Sequence, residues 1–140
     1  YLERFIDRID TSDDDIHAFV TLTIDSARAA ADAATLRYRD GAPASPIDGL
    51  PLGLKDIIQT AGVPTQAGSP IYDGWIPERD SPVTAALKRA GAAIVGKTAT
   101  TEFAYGAAPR MTVRVHAVHH RAARRPPSAT ACCRRQSEPS

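Results

Sequence analysis

Leu2, Phe5, Ile6 and Ile9 recur at helical spacing, so residues 1–10 read as the end of an amphipathic helix. The polar residues 10–15 read as a break. Residues 16–24, rich in β-branched and aromatic side chains, suit an extended segment. From 25 to 39 the chain is alanine-rich, with Asp25 early and Arg37 and Arg39 late; that order suits the helix dipole, and Gly41 supplies a stop. Residues 41–49 are a Pro/Gly loop. A short, nearly continuous apolar run over 50–58 predicts a strand covered on both faces. Residues 62–77 are punctuated by Gly and Pro and read as loop. Ser81 as N-cap and Pro82 at the first helical position open a helix with Lys88 and Arg89 in its last turn and Gly91 after it. Residues 92–95 make a second buried strand, ending in Gly96 and Lys97.

Strand, helix and strand over roughly 45 residues form a βαβ unit, which predicts a parallel pair with a right-handed crossover. The class is α/β. Thr100 or Thr101 is placed to cap a further helix through Phe103 and Tyr105. After Pro109 neither period continues, and residues 110–140 are given no element.

Charge divides the chain at the same point. Residues 1–109 carry 15 Asp/Glu against 10 Lys/Arg, whereas 110–140 carry seven Arg, no Lys and one acid, Glu138. The overall net charge of +1 conceals this split, so residues 1–109 and 110–140 are treated as a domain part and an Arg/Pro-rich tail expected to be disordered or frameshifted. No run of about 18 apolar residues is present to span a membrane. The start is charged from Glu3 and lacks the apolar stretch of a signal peptide. It opens on Tyr1 rather than Met, so a preceding segment is expected to be missing. The only cysteines, Cys132 and Cys133, are neighbours, which favours a reduced, cytoplasmic protein.

Lys55 is the residue with most chemical content, because it interrupts an apolar strand. A buried ammonium without a partner is expensive, and desolvation lowers a lysine's pKa toward that of a general base. The alternative is that Lys55 sits at the strand's end and reaches water, and spacing alone favours that alternative. Lys97, at the exit of the second strand, reads as a solvated or structural cation.

Several ordered blocks change the weighing. Residues 49–56 (Gly-Leu-Pro-Leu-Gly-Leu-Lys-Asp), Gly62-Val63-Pro64-Thr65, Gly68-Ser69, the stretch from Val83 to Glu102 centred on Gly-Ala-Ala-Ile-Val-Gly-Lys-Thr, and residues 101–106 strongly resemble the amidase signature family. The resemblance covers roughly residues 1–108. It implies an α/β/α sandwich around a mixed sheet, of which this would be the start, and hydrolysis of amide bonds by a Ser–cis-Ser–Lys triad without metal or organic cofactor. In such enzymes Lys55 matches the triad lysine, which acts through the middle serine on the nucleophile, and backbone N–H groups hold the oxyanion.

Both serines belong to a Gly/Ser-rich segment that should follow Tyr105 and Gly106 by a few tens of residues, and these 140 residues contain none. Ser128, Ser137 and Ser140 match nothing in it, and Ser69 reads as a loop-turn residue. The expectation is therefore a fragment, inactive alone, of an enzyme acting on a small-molecule amide, its assembly open and a homo-oligomer possible. Ala99 stands where the family often has Asn, which removes one polar contact.

The tail allows other readings. Its arginines with His116, His119 and His120 suggest a nucleic-acid-binding arm on a non-catalytic module, although no aromatic residue interleaves the charges. The histidines with Cys132 and Cys133 fit no ordinary zinc spacing. Arg, Ala, Pro, His, Ser and Cys together are also what GC-rich coding DNA yields out of frame. Residues 121–125 can be written in codons that, read one base earlier, spell Pro-Gly-Gly-Ser-Ser, so a frameshift between about residues 108 and 121 is expected. A further alternative is a piece of one component of a glutamine amidotransferase that acts on misacylated tRNA, which these residues do not separate from a stand-alone amidase.

Overall fold

The computed structural model describes residues 1–105. The tail readings, from the arginine arm to the frameshift, the cysteines and Ser128, Ser137 and Ser140, all lie outside these residues.

Helix α1 spans Leu2–Ile16. It runs straight through the acidic stretch expected to break it, because its inner face is already fixed by Leu2, Ile6 and Ile9, buried in the core. Polar residues on an outer helix face cost little, so the apolar stripe decides. The end comes at His17, whose left-handed backbone (φ 53°) turns the chain. Asp13 secures that turn, its carboxylate accepting from the amides of Ala18 and Phe19 at 2.7 and 3.3 Å.

The extended segment is shorter than its sequence suggests. Strand β1 is Phe19–Leu22 and helix α2, Ile24–Arg39, follows at once. Ala27 and Ala34 are buried, and small side chains on α2 let it lie close over the sheet. Beyond Gly41, the loop is tied back to α2 by Asp48, whose buried carboxylate takes two hydrogen bonds from Arg37 (2.8 and 2.6 Å) and one from the Ala44 amide (2.8 Å).

Strand β2 is Pro51–Lys55, helix α3 Pro82–Arg89 and strand β3 Ala93–Thr98. Ser81 and Pro82 open α3 as predicted, with Ser81 Oγ accepting from the Thr84 amide at 3.2 Å. β2 and β3 pair in parallel from Pro51↔Ala93 to Lys55↔Thr98, with a one-residue register shift between Leu52 and Gly53, and β1 pairs antiparallel to the other side of β3. The described sheet therefore has the order β1-β3-β2. β3 is central and buried through Lys97, as its unbroken apolar run requires. β2 departs from expectation: it is an edge of this sheet, with Pro51 and Leu54 buried but Gly53 and Lys55 exposed.

Past β3 there is no further α-helix among the described residues. A single 3-10 turn, Glu102–Ala104, forms instead, its N-cap Thr101 making no side-chain bond and the Thr100 hydroxyl buried without a partner. The loop after β2 likewise contains one 3-10 turn, Pro70–Tyr72.

Candidate active site

The carboxyl ends of the parallel strands β2 and β3 carry the side chains with chemical content. Open α/β sheets place their ligand sites at such ends. Lys55 is the last residue of β2. Its backbone is fixed on both sides: it registers with Thr98, its carbonyl accepts from the Ile58 amide at 2.8 Å, and the Asp56 amide donates to Thr98 O at 2.9 Å. Its side chain is exposed and makes no hydrogen bond or ion pair with any described residue. The strand-end placement is thus the one found for Lys55.

The costly buried ammonium belongs to Lys97, with no exposed side-chain surface. Its three donors all have oxygen neighbours: Ile58 O at 2.7 Å, Thr65 Oγ1 at 2.7 Å and Asp56 Oδ1 at 3.4 Å. The last contact is an ion pair too poorly aligned for a hydrogen bond, so Oδ1 has no hydrogen-bond partner. Asp56 Oδ2 accepts from the Gln66 amide at 3.0 Å. Burial pushes Lys97 below the ordinary lysine range, against the pull of Asp56. Burial also pushes the Asp56 carboxyl up, against the Gln66 amide and Lys97. Of the two roles open to Lys97, solvated or structural, the structure displays the structural one.

This loop then docks on the segment beyond β3. Ser69 Oγ donates to Glu102 Oε1 at 2.7 Å and caps the 3-10 turn through the Ile71 amide, and the Phe103 amide donates to Ala67 O at 2.8 Å. The turn role expected for Ser69 is present. Gly68 must be glycine on two counts: its φ is +65°, and a Cβ would stand 2.6 Å from Thr100 O. Tyr72 joins Trp75 and Phe103 in an aromatic group with centroids 5.5 and 6.1 Å apart, all three rings partly in solvent. Phe103 and Ala104 both have left-handed backbones, φ 50° and 57°. A shallow surface groove of ≈ 380 Å³ runs along Gln59 and residues 75–79 and does not include Lys55.

Sequence reasoning did not bring out the Asp56–Lys97–Thr65 cluster. Its signal was present, a Lys and an Asp on adjoining strand ends, but alternation only says that Lys55 and Asp56 point to opposite faces, not which lysine takes the inside. Among the described residues no group of three His, Cys, Asp or Glu side chains is arranged to hold a metal.

The profile of the Amidase family matches residues 1–125, past the change in composition at residue 110. The A subunit of the glutamyl-tRNA(Gln) amidotransferase of Anaeromyxobacter sp. (strain K) is 46% identical over 105 residues, 75% of this chain and 21% of that protein. Its counterpart from Myxococcus xanthus (strain DK1622) is 48% identical over 99 residues, 71% and 20% of the two. The chain spans about a fifth of the length of these curated relatives. Among solved structures, native peptide amidase from Stenotrophomonas maltophilia superposes with a TM-score of 0.65 at 34% identity, over 72% of this chain and 21% of that one. A protein of a vestigial complex tied to the origins of an s-triazine catabolic enzyme gives 0.69 at 38%, over 74% and 23%.

Proposed function

Because this chain belongs to the amidase family, we propose that it supplies the base-bearing part of an amide C–N hydrolase, with Lys55 as the base. The observation that carries this is the placement of Lys55. It is an amine with no partner among the described residues, on a backbone fixed at the carboxyl end of a parallel strand. Lys55 would take a proton through a middle serine from the serine nucleophile as that oxygen attacks the amide carbonyl. The proton passes to the departing amine as the C–N bond breaks, and water then hydrolyses the acyl-enzyme ester to release the acid and free the serine. Both serines fall outside the sequence blocks present here, so the 140-residue chain is expected to be inactive alone. The substrate would be a small-molecule amide, and the residues that choose it lie elsewhere.

The test is a serine-hydrolase probe applied to this chain and to a version whose reading frame is restored across residues 108–121. The restored protein should be labelled and the 140-residue chain should not. Labelling of the shorter chain overturns the claim that it lacks the nucleophile. The nucleotide sequence itself decides the frame: codons 121–125 must permit the Pro-Gly-Gly-Ser-Ser reading.

A second reading has its own observation, since the curated relatives are subunits of glutamyl-tRNA(Gln) amidotransferases. On that reading the restored protein works within a complex and hydrolyses glutamine to deliver ammonia to glutamyl-tRNA(Gln). Glutamine hydrolysis stimulated by the misacylated tRNA supports it, and turnover of simple amides indifferent to that tRNA supports the stand-alone enzyme.

A further inference from the structure

We infer that Lys97, Asp56 and Thr65 form a positioning device for Lys55: a buried, charge-compensated clamp that closes the turn after β2 and fixes the backbone from which Lys55 projects. The word positioning rests on Lys55 being the base, as proposed above; the coupling itself does not.

The connection runs through named atoms. The Ile58 peptide lies between the two lysines, its N–H donating to Lys55 O at 2.8 Å. Its own carbonyl accepts from Lys97 Nζ at 2.7 Å. Lys97 therefore holds the far side of the turn that closes on Lys55. Thr65 takes the second donor at 2.7 Å and passes its own hydroxyl hydrogen to Val63 O at 3.3 Å, which draws residues 63–65 onto the same ammonium. Asp56 completes the clamp from the residue next to Lys55: Oδ1 faces Lys97, Oδ2 accepts from the Gln66 amide, and its carbonyl accepts from the Ala67 amide at 2.9 Å. One buried cation thus joins β3 to the loop that begins at Lys55.

A surface turn needs none of this. Burying both charges is costly, and an apolar pair of similar size would often hold a loop as well or better. What the ion cluster adds is directional geometry at one backbone position, since each N–H of Lys97 donates toward one oxygen in one place.

The test uses the full 140-residue chain. Lys97→Met would strand the Asp56 charge and threaten folding, so the informative variant is Thr65→Val, near-isosteric and lacking only the hydroxyl, with Thr65→Ser as the conservative restoration. The chain has three lysines, Lys55, Lys88 and Lys97, so ¹³Cε-labelled lysine gives one resonance each. In Thr65→Val the Lys97 and Lys55 resonances should both move while Lys88 stays. Exchange of the Ile58 amide should quicken about tenfold, as expected when a hydrogen bond to a charged group is lost. The α2 amides should keep their rates, and Thr65→Ser should restore everything. An unmoved Lys55 resonance, or unchanged Ile58 exchange, overturns the inference. Uniform acceleration of all amides also overturns it, because the cluster would then serve global stability alone. Neither readout needs turnover. If Lys55→Ala left a competent enzyme active while these signals behaved as expected, the base assignment would fall and the clamp would stand.

Discussion

Lys97 Nζ lies 3.4 Å from Asp56 Oδ1 with both side chains out of water, the only ion pair among the described residues in which neither partner keeps appreciable exposure. Removing one member leaves a buried charge without its counterion. Lys97→Met and Asp56→Asn should each cost about 3–5 kcal/mol in urea unfolding followed by circular dichroism. The double variant should cost clearly less than the sum of the two. Additive losses would mean that the two side chains do not compensate each other.

Asp48 predicts an acid limit. Its hydrogen bonds from Arg37, joined by the one from the Ala44 amide, outweigh burial and hold its carboxyl down at about 2, against 3.8 in the ordinary case. A carboxyl depressed in the folded state binds protons more readily when unfolded. Its stabilisation is therefore complete above pH 3.8 and is lost as pH falls toward 2. Asp48→Asn should lower stability at pH 7 and flatten the pH dependence between about 4 and 2, read from thermal midpoints across that window. An unchanged slope there would assign the acid sensitivity to other carboxylates.

The elements whose edges the sequence marked were those with side-chain punctuation. Ser81, Pro82 and Gly91 bracket α3, and the unbroken apolar run of residues 92–95 marks the central strand, because burial on both faces leaves no alternation to misread. Acidic residues 10–15 misled because composition says nothing about which face of a helix they occupy. Lys55 and Lys97 were harder for a related reason. Lys55 ends its strand and Lys97 lies one residue before the end of its own, and only the neighbours brought in by the loop, Thr65 and the Ile58 carbonyl, make an inside position tolerable for one of them. Those neighbours lie 32 and 39 residues from Lys97, beyond any local pattern.

Gly91 should resist substitution. It follows α3 with φ +85°, and a Cβ there would run into the Asp48 carboxylate and approach Arg37 Nη2 at 3.1 Å. Gly91→Ala combines left-handed strain with displacement of the Arg37–Asp48 pair. Each strained residue of this kind costs of order 1 kcal/mol or more. The expected result is a lower thermal midpoint, most of it persisting in an Asp48→Asn background, where the strain remains but the ion pair is already gone. Loss of the whole effect in that background would show that displacement of the ion pair alone matters.

Lys55→Ala separates chemistry from folding. The side chain is exposed and bonds to no described residue, so its truncation should change stability by no more than about 0.5 kcal/mol. If Lys55 is the base, the same substitution in the frame-restored protein should lower kcat by about 10²–10⁴-fold, the range of a general base, with KM little changed. Lys97→Met behaves in the opposite sense: its first effect is on stability, because its ammonium is spent on Ile58, Thr65 and Asp56 and has no free face for a reacting group. Both variants would be compared by amide hydrolysis and by chemical unfolding on the same preparations. A Lys55→Ala protein with normal kcat would move the base elsewhere. A Lys55→Ala protein that loses both activity and several kcal/mol of stability would mean that Lys55 is structural once the rest of the enzyme covers it.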